Sequence, residues 1–157
     1  MPTLDKAVQD FLAQKRIAVT GVSRRKKVQP ANLIYRKLRK AGYEVFAVNP
    51  VAEEVEGDPC HASLEAIPGG VDGVVVATDP SVAKQVISDC ADLGISRVWV
   101  HRSIGQGSAS PDAVEFGREK GITVIPAGCP MMYCNPDPVH RCMCWFYKAT
   151  CRIPQHV

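Results

Sequence analysis
The chain has 157 residues, of which 46% are apolar, and a net charge of only +3. That length suits a single domain, 1–157, with a sizeable core. The weak charge argues against nucleic acid as a partner, and no apolar run approaches the ~20 residues of a membrane-spanning helix.

The first 14 residues read as a helix. Leu4, Val8, Phe11 and Leu12 recur at helical spacing, and Asp5 and Asp10 interrupt any secretory-type apolar core. A cytoplasmic protein is expected. RIAVT at 16–20 is the first expected strand, followed by the loop Gly21-Val22-Ser23-Arg24-Arg25-Lys26-Lys27. A helix comes next, its apolar stripe formed by Ala31, Ile34, Tyr35, Leu38 and Ala41. Gly42, Gly94 and Gly121 each follow a helical stretch and precede a short apolar run, as residues just past a helix end do. The runs are YEVFAV, ISRVWV and ITVIPA, and DGVVVAT at 72–78 brings the expected strands to five. Between YEVFAV and DGVVVAT there is room for a short helix around His61–Ile67. Asp79-Pro80 and Ser110-Pro111 place a capping oxygen before a proline at two further helix starts. Val82, Val86, Cys90 and Leu93 form the apolar stripe of the first of these. From Gly128 the pattern breaks into a Pro-, Cys- and Met-rich appendage, 128–157, that becomes helical near Val139–Ala149.

Strands alternating with helices imply an α/β fold: a doubly wound, Rossmann-like parallel sheet of five strands with helices on both faces. Right-handed crossovers suggest the order 3-2-1-4-5. Ligands of such sheets sit at the carboxyl ends of the strands where the order reverses. The loop after Thr20 then lies at the centre of the crevice, with the loops after Val48 and Ala77 beside it. Gly21 leaves room for close backbone approach, Ser23 offers a hydroxyl, and Arg24 to Lys27 supply cationic charge. The helix starting near Pro30 turns its N-terminal amides toward the same place. Phosphate binding is the expected chemistry.

The nicotinamide fingerprint Gly-x-Gly-x-x-Gly is absent, and the second strand ends Val48-Asn49-Pro50 without an acid for ribose hydroxyls. The basic run also suits an NADP phosphate, so an NADP-type oxidoreductase or redox sensor stands as the alternative. The P-loop pattern is absent as well.

GVS after the first strand, GYEVFAVNP and VDGVVVATDP resemble the CoA-binding proteins, small single-domain relatives of the CoA-binding domain of succinyl-CoA synthetase α subunits. VWVHRSIGQGSASPDAV and EKGITVIPAGCPMM continue the resemblance, which covers roughly residues 14–135. The resemblance implies coenzyme A or an acyl-CoA as ligand. Gly21, Val22, Ser23 and the following cations, Arg24, Lys26 and Lys27 among them, would hold its phosphates. Val48, Asn49 and Pro50 would border the adenosine, and Ala77, Thr78, Pro80 and Val82 would line the opposite wall. A synthetase of that kind also has a domain with a phosphorylated histidine and a nucleotide-binding partner subunit. Nothing in this chain corresponds to either, so a binding module without a complete catalytic apparatus is expected. A homo-oligomer or a protein partner is compatible with that role.

His101 follows the fourth strand in a polar, glycine-rich loop, but no nucleophile or carboxylate is spaced to form a triad with it. Its plainer role is a loop histidine bonded to a backbone carbonyl. Cys129, Cys134, Cys142, Cys144 and Cys151 crowd the last 29 residues without a Cys-x-x-Cys pair, so buried thiols are expected rather than a metal site. Cys129 follows the fifth strand and is the thiol expected nearest the ligand, where oxidation is expected to join it to the CoA thiol as a mixed disulfide.

Overall fold
The computed structural model describes residues 1–25, 28–102, 107–150 and 154–157. Lys26, Lys27, Cys151 and the centre of the His101 loop, residues 103–106, lie outside the described residues.

The strands are β1 (Arg16–Thr20), β2 (Glu44–Val48), β3 (Glu54–Val55), β4 (Asp58–His61), β5 (Gly73–Val76), β6 (Arg97–Val100) and β7 (Thr123–Ile125). They form one sheet in the order β3-β4-β2-β1-β5-β6-β7, parallel throughout except for the β3–β4 hairpin. The helices are α1 (Leu4–Leu12), α2 (Pro30–Lys40), α3 (Pro80–Asp92), α4 (Pro111–Glu119) and α5 (Pro138–Ala149). The Rossmann-like, doubly wound class therefore stands, while the expected strand count and order are corrected. The five expected strands are β1, β2, β5, β6 and β7. The run at 72–78 pairs with β1 instead of β2, and β4 takes the place beside β2. No helix forms at His61–Ile67; β4 and a series of turns occupy the segment. The strand β4 is short and half-exposed, one place in from the sheet edge, and carries little apolar signal.

Alternating side chains divide the core into two layers. On one face Ile17, Val19, Ala47, Val75, Trp99 and Ile125 pack with α1, α2 and the C-terminal segment. On the other, Ala18, Val74, Val76, Val98 and Val100 pack with α3 and α4. The stripe of α3 is Ala83, Val86, Ile87 and Cys90, whereas Val82 and Leu93 are 44% and 43% exposed. The helix is turned from its expected phase because it packs on α4 as well as on the sheet. A Cβ at Gly117 of α4 would lie 3.1 Å from Ile87 Cγ2.

Asp79 and Ser110 precede their helices as expected, yet neither side chain makes a capping hydrogen bond. Asp137 does cap α5, accepting from the Val139 and His140 amides at 3.0 Å each.

The segment after Gly128 belongs to the first core layer. The Trp99 ring is fully buried, with the ring centroids of Phe11 at 5.5 Å and Tyr133 at 5.6 Å. Lys148 reaches Asp5 at 2.8 Å, and the Leu4 amide donates to the Gln155 carbonyl at 2.9 Å. The two ends of the chain thus meet over one face of the sheet. Among the described residues no helix is long and apolar enough to cross a membrane.

Candidate functional site
With β1 between β2 and β5, three loops meet at the carboxyl ends of the strands: those after Thr20, Val48 and Val76. Gly21 sets the distance between two of them. Its φ is +87°, and a Cβ there would lie 2.2 Å from the Ala77 carbonyl oxygen. The missing side chain is thus required by the neighbouring loop of the same protein. Ala77 and Thr78 are the residues that fill the space.

The Val22 side chain is buried in the first core layer, and its carbonyl accepts from Asn49 Nδ2 at 2.8 Å. Asn49 Oδ1 accepts from the Val51 and Ala52 amides at 2.9 and 3.0 Å. Its amide is therefore occupied in tying the loop after β2 to the loop after β1. Val48 is 8% exposed and packs in the second layer, while Pro50 is exposed.

Ser23 is held from both sides of its backbone. Its amide donates to Asn32 Oδ1 at 2.9 Å, and its carbonyl accepts from Asn32 Nδ2 at 2.8 Å. Its hydroxyl accepts from the Arg25 amide at 3.1 Å, which turns the chain at the start of the basic run. Arg24 and Arg25 are exposed. Gln29 closes the loop, donating from Nε2 to the Gly21 carbonyl at 2.5 Å and to Asn32 Oδ1 at 3.0 Å.

Asn32, Gln29 and Glu56 are the residues that sequence reasoning missed. Asn32 is fully buried and stands at the edge of the apolar stripe of α2, in its first turn. A polar residue at that position was the available signal. Glu56 sits at the β3–β4 turn and accepts from Asn32 Nδ2 at 2.8 Å and from Arg36 at 3.1 Å.

Two helices begin beside this loop, each with proline at its start. The Gln29 and Asp79 side chains that precede α2 and α3 make no capping bond. First-turn amides of a helix lack intrahelical acceptors and favour anions. Pro80 and Val82 lie in the first turn of α3, half-buried and exposed respectively.

Cys129 is not part of this cluster. Two strands, β5 and β6, separate β7 from β1, and Cys129 is 2% exposed within the first core layer. Burial pushes its thiol up to about 11, which leaves little thiolate at neutral pH. Cys134 and Cys90 are also buried, Cys144 is half-buried and Cys142 is exposed. Among the described residues, no three His, Cys, Asp or Glu side chains are grouped as metal ligands. Treatment with CoA disulfide is accordingly expected to modify Cys142 before Cys129, as read by peptide mass mapping. An adduct forming first on Cys129 would place that thiol at an accessible surface.

His101 is 6% exposed, and burial depresses its imidazole to about 4. Its backbone bonds to the Val76 carbonyl and the Ser108 amide. The ring is neutral at physiological pH and follows β6, which β5 separates from β1.

A family model described as a CoA binding domain matches residues 15–135. An uncharacterized protein of Bacillus subtilis, YneT, is 31% identical over 115 residues, which cover 73% of this chain and 82% of that protein. The alpha subunit of ADP-forming acetate–CoA ligase II from Pyrococcus furiosus is 27% identical over 130 residues. That match covers 76% of this chain but only 27% of the ligase subunit. A hypothetical protein of Pyrococcus horikoshii shares the fold with a TM-score of 0.74 and 26% identity, covering 83% of this chain and 88% of that one.

Proposed function
This chain belongs to the CoA binding domain family, and from that premise we propose that it binds coenzyme A or an acyl-CoA at the loop after β1, as a binding module without a complete catalytic apparatus of its own. The observation that carries the reading is the pair of helix starts, α2 and α3, that flank the Gly21 loop without side-chain caps. A diphosphate is the kind of group that accepts from such amides. Arg24 and Arg25 stand exposed at the same loop, and Lys26 and Lys27 continue the basic run in the sequence. Arginine and lysine serve phosphates through charge-assisted hydrogen bonds.

The walls follow from the residues on either side. Val48 and Pro50 border the adenosine, with Asn49 shaping the wall through its own hydrogen bonds. Ala77, Thr78, Pro80 and the exposed Val82 line the other side. Cys129 is reassigned from the ligand to the core. The ligase match spans about a quarter of its subunit, so ligase activity is not part of the proposal.

Coenzyme A carries a 3′-phosphate that dephospho-CoA lacks. A hydrogen bond to a charged group contributes about 1.5–3 kcal/mol, so the loss of one weakens binding by roughly tenfold to a hundredfold. Titration calorimetry is expected to show coenzyme A binding more tightly than dephospho-CoA by about that ratio, and NADP binding more weakly than either. Lys26→Ala with Lys27→Ala erodes the difference. Equal affinity for the first two would reduce the basic run to a solvated surface, and preference for NADP would overturn the CoA reading.

A further inference from the structure
The Asn32 carboxamide is completely used. Oδ1 accepts from the Ser23 amide and from Gln29 Nε2, and Nδ2 donates to the Ser23 carbonyl and to Glu56 Oε1, at 2.8–3.0 Å. An amide has two donor hydrogens and two acceptor lone pairs, and all four meet partners. The network also dictates which way the amide faces. Turned by half a revolution, its oxygen would oppose both the Ser23 carbonyl and the Glu56 carboxylate, and its NH2 would oppose two donors. Glu56 is the charged member of this set, with its side chain 10% exposed. It reaches the site from a turn in which it holds a φ of +55°, uncommon for a residue with a side chain. Arg36 and Arg39 of α2 hold the same turn, donating to the Glu56 carboxylate and to its backbone carbonyl at 3.1 and 3.0 Å.

We propose that Glu56 is a positioning residue for coenzyme A. Acting through Asn32, it holds the peptide units around Ser23 in their binding orientation before ligand arrives. The inference rests on the reading of that loop as the CoA site. It makes the β3–β4 hairpin a determinant of affinity through the hydrogen bond from Asn32. A loop that is ordered in advance does not lose binding free energy to ordering at the moment of association.

The test uses the full chain, coenzyme A titration calorimetry and amide hydrogen exchange by NMR. In Glu56→Ala the affinity for coenzyme A is expected to fall about tenfold and the Ser23 amide to exchange at least about tenfold faster, one lost charge-assisted bond being of that size. The Val19 amide within β1 exchanges as in the wild type. Glu56→Gln keeps an acceptor oxygen toward Asn32 Nδ2 and is expected to recover affinity to within about threefold. Wild-type affinity in Glu56→Ala overturns the proposal. So does weakened affinity with Ser23 exchange unchanged, or a Glu56→Gln variant as weak as Glu56→Ala.

Should Glu56→Ala not fold, Asn32→Asp serves in its place. It sets a carboxylate oxygen against Glu56 and the Ser23 carbonyl, and adding Glu56→Gln supplies a donor to that oxygen. The double variant is then expected to bind coenzyme A more tightly than Asn32→Asp alone, and no gain overturns the proposal. If the wild-type protein binds no coenzyme A, the CoA reading fails by itself. Ser23 exchange in the variants still decides whether Glu56 acts on the loop.

Discussion
Gly21→Ala is expected to destabilise the protein by about 3 kcal/mol or more and to lower its melting temperature by roughly 6–12 °C, with the proposed coenzyme A binding lost. Two costs combine. The residue has a φ of +87°, a conformation that costs a residue with a Cβ about 1–2 kcal/mol. The new methyl also meets backbone that cannot rotate away: Ala77 O at 2.2 Å, Ala77 C at 2.6 Å and Thr78 N at 3.0 Å. Relief requires the loops after β1 and β5 to part. The Ala77 amide is anchored to the Thr20 carbonyl at 3.3 Å, so parting them strains the β1–β5 pairing itself. Gly42→Ala is the control. Gly42 has a φ of +94°, yet nothing lies within 4 Å of its added Cβ. Only the conformational cost of about 1–2 kcal/mol applies there. Differential scanning calorimetry of the two variants separates the effects. Equal melting shifts for both would show that the contact with Ala77 contributes nothing.

Stability is expected to fall by about 3 kcal/mol between pH 6.5 and pH 4 through His101 alone. Burial lowers the folded-state pKa of this imidazole to about 4 from its ordinary value of 6.5. Above pH 6.5 the ring is neutral in the folded and unfolded chains alike and adds no pH dependence. Below it the unfolded chain takes up a proton that the folded chain refuses until about pH 4. The unfolded state then binds more protons, and stability declines as the pH declines. Asp58 and Asp137, whose carboxylates are held below their ordinary range by hydrogen bonds with Tyr35 and Arg39 and with His140, also lose stabilisation in acid. They are present in every variant compared. Denaturant unfolding of wild type and His101→Gln at pH 7 and pH 4.5 isolates the imidazole, because glutamine has no proton to gain. The variant is expected to show a shallower decline across that interval. Parallel curves would mean that the ring protonates freely in the folded state.

The sequence alone determined the elements that depend on local pattern. Short apolar runs after Gly42, Gly94 and Gly121 became β2, β6 and β7, because a buried parallel strand needs apolar side chains on both faces and a helix end accepts glycine. The same local grammar marked the Gly21-Val22-Ser23 turn and the basic run after it. Tertiary structure decided what depends on residues far apart in the chain. The hairpin β3–β4 has too few apolar side chains to announce itself, and β4 forms only because β2 offers it a sheet edge. The run at 72–78 pairs with β1, on the side away from β2. Gly21 reads locally as space for a ligand, but the atom that forbids a side chain belongs to Ala77, brought there by the pairing of β1 with β5. Asn32 reads as a polar residue at the edge of an apolar stripe. Its function in the fold appears only when Ser23, nine residues before it, and Glu56, 24 residues after it, are both within hydrogen-bond reach. Periodicity reports which side of an element faces the core, whereas a hydrogen bond between distant residues exists only once the sheet has set its strands side by side.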